Sequence, residues 1–318
     1  AEMQKQFAEV QTIKKKENHR EELERKVRDT HRMLMHDYPV YYDWWLQDGN
    51  DAKDIKDGKD VNWFRGSFSR QLSLRMQKLN ITTAVNDTPE SIEAAFQSYL
   101  KACERRRAER LETFTANQPE IVFTKFRTLR PSFFAYTEGV SDARAECNYF
   151  AGGSLSKIKM NGIWAEEETL LTDEDGVYRD PNLHFDGQHL LFSWKKSAKD
   201  DDFHLYEMDL KTRAVKHLTF GKGHADIEGI YLPDENILFN STRSGSAVDC
   251  WFTEVSNMYL CDREGRYMRQ VGFDQVHTTT PTLLDDGRVV YTRWDYNDRG
   301  QVWAQPLFQM NPDGTGQA

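Results

Sequence analysis

Two short stretches of this 318-residue chain concentrate side chains able to do chemistry. One is Phe273-Asp274-Gln275-Val276-His277, followed closely by Arg293, Asp295, Tyr296 and Asp298. A histidine beside carboxylates and a guanidinium can take up an anion, a metal ion or a sugar. The other is His224, preceded by Gly221-Lys222-Gly223 and followed by Asp226 and Glu228. The two histidines precede similar apolar segments, so a repeating fold would set them around a common axis. The same side chains serve equally well as hydrogen bonds between repeats, a reading that involves no chemistry.

Other candidate motifs read as structure. Cys250-Trp251-Phe252-Thr253-Glu254 has no visible base or electropositive setting to activate the thiol, so it is read as packing. Asp173-Glu174-Asp175-Gly176 has the look of a calcium loop, but Leu171 and Asn182 stand where carboxylates are needed, which leaves a turn. Walker loops, H-E-x-x-H, G-x-S-x-G and dinucleotide fingerprints are all missing from the sequence.

The elements that must hold these residues come from a repeat. Leu190-Leu191-Phe192-Ser193 follows the turn residues Asp186-Gly187 and precedes Leu205-Tyr206-Glu207-Met208-Asp209. Ile237-Leu238-Phe239-Asn240 follows Pro233-Asp234 and precedes Met258-Tyr259-Leu260-Cys261-Asp262, and Val289-Val290-Tyr291-Thr292 follows Asp286-Gly287 and precedes Leu307-Phe308-Gln309-Met310-Asn311. The period is about 50 residues, that of a four-stranded propeller blade. Asp-Gly allows the tight turn, and alternating apolar residues bury a face that only a neighbouring blade can cover. An earlier blade is expected from Ile121, with Gly153–Ile158 and Thr169–Thr172. The fold class is therefore mainly β, a partial propeller of about three to four blades after an α-helical N-terminal region.

That region is expected to span 1–117 and the propeller 118–318. Before Met35, Phe7, Val10, Leu23, Val27 and Leu34 are spaced for a long amphipathic helix or a helix pair that ends at Asp37-Tyr38-Pro39. Tyr38, Tyr41, Tyr42, Trp44 and Trp45 form an aromatic knot, read as an anchor for packing the helices on a neighbouring domain. Residues 47–62 read as a surface loop. Thr88 as N-cap, Pro89 at the first helical position and Glu90 and Glu93 in the first turn predict a helix to about Leu111.

A net charge of −9 argues against a phosphate-binding track, so nucleic acid is not expected as a partner. Runs such as Lys14-Lys15-Lys16 alternate with Glu and read as solvated helix faces. No apolar run reaches the length of a membrane span. Cys103, Cys147, Cys250 and Cys261 include no C-x-x-C pair; Cys250 and Cys261 suit either a bridge between strands or buried thiols. The opening Ala1-Glu2 fits a processed end or a cut fragment, and the last blade stops where its closing strand is expected.

The turn–strand–Tyr-x-Met-Asp/Asn pattern resembles the repeats of TolB-type six-bladed propellers. Gly176-Val177-Tyr178-Arg179-Asp180-Pro181, Phe203-His204-Leu205-Tyr206-Glu207-Met208-Asp209, Phe239-Asn240-Ser241-Thr242-Arg243 and Asp286-Gly287-Arg288-Val289-Val290-Tyr291-Thr292-Arg293-Trp294-Asp295-Tyr296 resemble proteins related to the middle domain of the hydrazine synthase alpha subunit. The resemblance covers Pro119 to Ala318 and implies a bacterial, exported, periplasmic propeller. Hydrazine synthase is a c-haem enzyme, yet no C-x-x-C-H for haem attachment occurs in this chain. The expected role is a scaffold taking a protein partner or small ligand at the propeller channel, with His224, Asp226, Glu228, Asp274, His277, Arg293, Asp295 and Tyr296 as candidate contacts. The alternative is a metal- or haem-dependent redox enzyme in the same channel, with His224 and His277 as metal ligands.

Overall fold

Thr88 starts a helix as its sequence predicts: its side-chain oxygen accepts the Ser91 N–H at 3.3 Å and its carbonyl the Ile92 N–H at 3.0 Å. The structure, a computed structural model, describes residues 32–49, 68–86, 88–117, 120–127, 149–249, 253–296 and 305–318, with Arg25 and Asp29. Most of the N-terminal helix expected before Met35, residues 50–62 of the Asp-rich loop, Cys147, Cys250, Trp251, Phe252 and Asp298 lie outside them. The chain divides into two compact units, Ala1–Asn117 and Gln118–Ala318.

In the first unit, α1 (Pro39–Gly49), α2 (Phe68–Lys78) and α3 (Pro89–Asn117) enclose one aromatic core. Pro39 interrupts a helical stretch at 32–37 and itself opens α1, where its missing N–H costs no bond. The aromatic knot packs into the core of the helical unit itself. Tyr41, Trp44 and Trp45 are buried within the helical unit beside Leu72, Met76, Phe96 and Tyr99, with Trp45 stacked on Phe68 at 5.3 Å and edge-on to Tyr99 at 5.6 Å. Inside this core Asp48 accepts from Tyr99 at 2.8 Å and from Arg106 at 2.7 Å, so its buried charge is matched.

The second unit is mainly β. Among the described residues it holds four small antiparallel sheets, and none is closed on itself. The first comprises β1 (Glu120–Phe126), β2 (Gly153–Asn161) and β3 (Trp164–Asp173), and the second β4 (Val177–Leu183), β5 (His189–Lys195), β6 (His204–Asp209) and β7 (Val215–His217). The third is β8 (Asp226–Tyr231), β9 (Ile237–Ser241), β10 (Asn257–Cys261) and β11 (Arg269–Gln270); the fourth is β12 (Thr278–Leu283), β13 (Val289–Arg293) and β14 (Leu307–Met310). In the fourth sheet Ala318 exchanges both backbone hydrogen bonds with Gln309, at 2.9 and 3.0 Å. Lys216 and Arg269 hold the equivalent places opposite Glu207 and Leu260.

Each repeat is a propeller blade with the parts its sequence announces. The aromatic residues that mark the period pair across their strands: Phe192 with Tyr206, Phe239 with Tyr259 and Tyr291 with Phe308. The first hairpins close by N–H to carbonyl bonds from Gly187 to His184, Glu235 to Leu232 and Gly287 to Leu284. The donor residue of each has positive φ, which glycine takes without strain and Glu235 does not. Cys103 and Cys261 are buried free thiols, and burial pushes the Cys261 pKa up to about 12.

The first strands of the sheets, β1, β4, β8 and β12, lie side by side in that order. β4, β8 and β12 are each bulged two residues after the strand is established, with left-handed Asp180, Glu228 and Thr280 at the bulges. Asp180 Oδ2 accepts the Glu228 N–H at 3.1 Å, and Glu228 Oε2 accepts the Thr280 N–H at 2.8 Å. Two residues on, Asn182 Oδ1 accepts the Tyr231 N–H at 3.2 Å. These strands therefore run parallel, and every blade presents its strand starts at one end, here the leading end, and its first hairpin at the other.

Candidate functional site

The eight predicted contacts sit at the leading end of the third and fourth blades, around the starts of β8 and β12 and the end of β13, and the structure separates them by what already occupies them. Asp226, at the start of β8, is fully buried. Its carboxylate accepts from Ser241 Oγ at 2.7 Å and from Arg243 at 3.0 Å (Nε) and 2.7 Å (Nη2). Burial alone would raise its pKa, but hydrogen bonds from His204 and Arg243 hold it below the ordinary value. A carboxylate so occupied ties β8, β9 and the loop at Phe220 together.

Glu228 is occupied in the same way at the bulge. Its Oε2 takes Asn240 Nδ2 and the Thr280 N–H, both at 2.8 Å, while Oε1 faces Arg179 at 3.3 Å. Burial and the neighbouring Asp180 carboxylate raise its pKa, against the pull of Arg179. Arg179 in turn bonds Asp180 at 2.6 Å and the Tyr149 hydroxyl at 2.9 Å.

The histidines are not brought together by any contact between them. His224 is half-buried, with Nε2 3.2 Å from the Phe220 carbonyl and its ring edge-on to His204 at 6.0 Å. His277 is buried and stacked on Trp294 at 5.6 Å. Its Nδ1 accepts the Ser256 N–H at 3.1 Å, so the neutral ring carries its proton on Nε2, which has no partner among the described residues. Desolvation lowers its pKa to about 4. A ring with a protonated Nε2 and an occupied Nδ1 offers no lone pair to a metal.

The remaining predicted residues converge. A cleft of about 380 Å³ is lined by Phe273, Asp274, Gln275, Arg293, Trp294, Asp295 and Tyr296. Arg293 lies flat over the Phe308 ring at 3.5 Å, donates to Asp295 at 2.9 Å and reaches Asp274 Oδ1 at 3.4 Å. Asp274 is fixed through its backbone, its N–H donating to Asn257 Oδ1 at 2.7 Å and its carbonyl accepting from Asn257 Nδ2 at 3.1 Å. Its Oδ2 is buried and meets no hydrogen-bond donor among the described residues. Burial raises the Asp274 pKa despite Arg293, and the Asp295 charge adds to the rise. Phe273 stands out from the surface at 77% exposure. The cleft thus combines an underused carboxylate with exposed aromatic surface, which suits a ligand carrying hydrogen-bond donors on an apolar body.

One group escaped the sequence reading. The β4–β5 hairpin turn, at the opposite end, gathers His184, Asp186 and His189, with ligand atoms within 4.8 Å of one another. The signal was present as His184-Phe185-Asp186-Gly187-Gln188-His189, but the Asp-Gly pair reads first as a turn.

No protein family and no curated protein matches the chain by sequence. Among solved structures it is similar to TolB from Agrobacterium tumefaciens, at 17% identity and a TM-score of 0.39 over 53% of this chain and 60% of that one. It is also similar to Kuenenia stuttgartiensis hydrazine synthase, at 15% identity and a TM-score of 0.47 over 63% of this chain and 31% of that one. A puromycin-hydrolyzing peptidase from Mycobacterium tuberculosis aligns at 10% identity and a TM-score of 0.41, over 63% and 27% of the two chains. The chain thus spans less than two thirds of each of these proteins.

Proposed function

We propose that this chain is an exported β-propeller that works as a binding scaffold, with the cleft between Phe273 and Tyr296 as its contact with a protein partner. The observation that carries this is Asp274 Oδ2, a buried acceptor with no donor among the described residues, beside the exposed Phe273 ring. An acceptor in that state favours a ligand that brings N–H donors, because binding then supplies the missing bond. A lysine or arginine side chain of a partner supplies both the donors and an apolar stem to lie on the aromatic rings. Export rests on the repeat motifs shared with TolB-type propellers.

The test is a set of short peptides with arginine or lysine next to an aromatic residue, titrated into the purified chain by calorimetry. Saturable binding that weakens at least tenfold in Asp274→Asn and in Phe273→Ala is expected, by the usual cost of removing one partner of a buried charged hydrogen bond, about 1.5–3 kcal/mol. Binding unchanged in both variants, or none at all, contradicts the proposal.

A further inference from the structure

We propose that the β4–β5 hairpin turn binds a first-row divalent cation of the zinc class through His184, Asp186 and His189. Asp186 Oδ1 accepts the backbone N–H groups of Gln188 at 2.7 Å and His189 at 3.1 Å, which fixes the plane of the carboxylate. Its Oδ2 is thereby aimed at two ring nitrogens, His189 Nδ1 at 2.7 Å and His184 Nδ1 at 3.0 Å.

Proton counting shows why this arrangement calls for a cation. His184 is buried, and its Nε2 lies 3.2 Å from Glu235 Oε2 on the next blade. The Glu235 carboxylate calls for the tautomer with the proton on Nε2, whereas Arg263 Nη1, 3.4 Å from the same atom, calls for the other; in the first, Nδ1 keeps a lone pair, toward which the Asp186 N–H points at 3.2 Å. The approach of Asp186 Oδ2 to that same Nδ1 then sets two acceptors against each other. A cation shared by His184 Nδ1, Asp186 Oδ2 and His189 Nδ1 converts the repulsion into ligation. Bonds of about 2.0–2.2 Å in a tetrahedron separate ligand atoms by about 3.3 Å, so the two Asp186–histidine separations of 2.7 and 3.0 Å have to open slightly, with the three ligand atoms already within 4.8 Å of one another. Asp186 and His189 are partly exposed and have room to do so.

The surroundings match those of a metal-binding histidine. Such a ring donates its second N–H to a carboxylate, which fixes its orientation and raises its basicity. Glu235 fills that place for His184 and is itself held by Arg263 Nη1 at 2.9 Å. Arg263 Nε also bonds Glu207 at 3.0 Å, and Glu207 accepts the Tyr231 hydroxyl at 2.7 Å, whose ring meets the His184 ring edge-on at 4.7 Å. Two nitrogens and one carboxylate oxygen suit zinc and its neighbours rather than calcium or magnesium, which require oxygen shells. The position left open faces solvent and takes water.

The probe is Zn²⁺ alone, titrated into chelator-stripped chain against a chromophoric competitor. One equivalent should bind, more weakly as pH falls below about 6.5, where protons compete for the imidazoles. His189→Ala and Asp186→Asn should each weaken binding at least tenfold, Glu235→Gln should weaken it less, and His224→Ala should leave it unchanged. Asn at 186 keeps the Oδ1 acceptor and the turn, and His189 is half-exposed, so circular dichroism of both variants should match the parent. The competing account is a doubly protonated His184 held between Asp186 and Glu235. Absence of saturable binding, or binding indifferent to both His189→Ala and Asp186→Asn, would overturn the proposal.

Discussion

At the scale of the residue, the polar side chains that looked like one site serve two purposes. Types and spacing were legible in the sequence, but what already occupied each group was not, because occupancy depends on contacts between residues 17 to 52 positions apart. Asp226 depends on Arg243, Glu228 on the Thr280 backbone, and His277 on the Ser256 backbone. His277 also carries a pH signature. Its folded pKa of about 4 lies below the ordinary histidine value, so the unfolded chain binds more protons between those limits. Its contribution is constant above about pH 6.5 and is lost as pH falls toward 4, by up to about 3 kcal/mol at 1.36 kcal/mol per unit. His277→Gln, which cannot titrate but can still accept the Ser256 N–H, should flatten the acid limb of urea midpoints across that window. An unchanged pH slope would show that His277 is already charged or solvated in the fold. His217, also lowered to about 4 but partly exposed, adds a smaller share that this variant retains.

At the scale of the element, strands and turns were legible because they are local. The 50-residue period, the Asp-Gly turns and the helix opening at Thr88-Pro89 each state their geometry within a few residues. The bulges at Asp180, Glu228 and Thr280 were not, since nothing in Asp180-Pro181, Glu228-Gly229 or Thr280-Pro281 announces a carboxylate of one strand accepting the backbone N–H of the next. The helix α2 went unforeseen as well, its Leu72 and Met76 being too few to mark a period. The outer turns show how blades meet. A Cβ on Gly265 would lie 2.1 Å from the Leu218 carbonyl oxygen at the end of the preceding blade, and one on Gly314 2.5 Å from the Val271 carbonyl oxygen. In the second blade Arg213 takes the equivalent left-handed place and bonds Glu168 of β3. Gly187 has the same handedness but open space around it. Gly187→Ala should therefore cost only the left-handed penalty of about 1–2 kcal/mol. Gly265→Ala adds a backbone clash and should exceed it by at least about 1 kcal/mol. Equal urea midpoints for the two variants would remove the close blade contact from the account.

At the scale of the whole molecule, the parallel first strands give the propeller unit two chemically distinct ends. The leading end holds the Asp274–Arg293 cleft and the hairpin end the His184–Asp186–His189 turn. That the helical region has an aromatic core of its own was hidden in the sequence, because clustered aromatics look alike whether they pack inward or outward. The central claim is that framework carboxylates and a ligand-facing carboxylate stand side by side at the leading end. Urea unfolding of Asp226→Asn and Asp274→Asn at pH 7 tests it most directly. Asp226 stabilises by its charge against Arg243, so its loss should cost about 3 kcal/mol, typical of breaking a buried pair. Asp274 has a raised pKa and an unsatisfied oxygen, so its charge opposes folding and the substitution should be neutral or stabilising. A large loss for Asp274→Asn together with little change for Asp226→Asn would contradict the account.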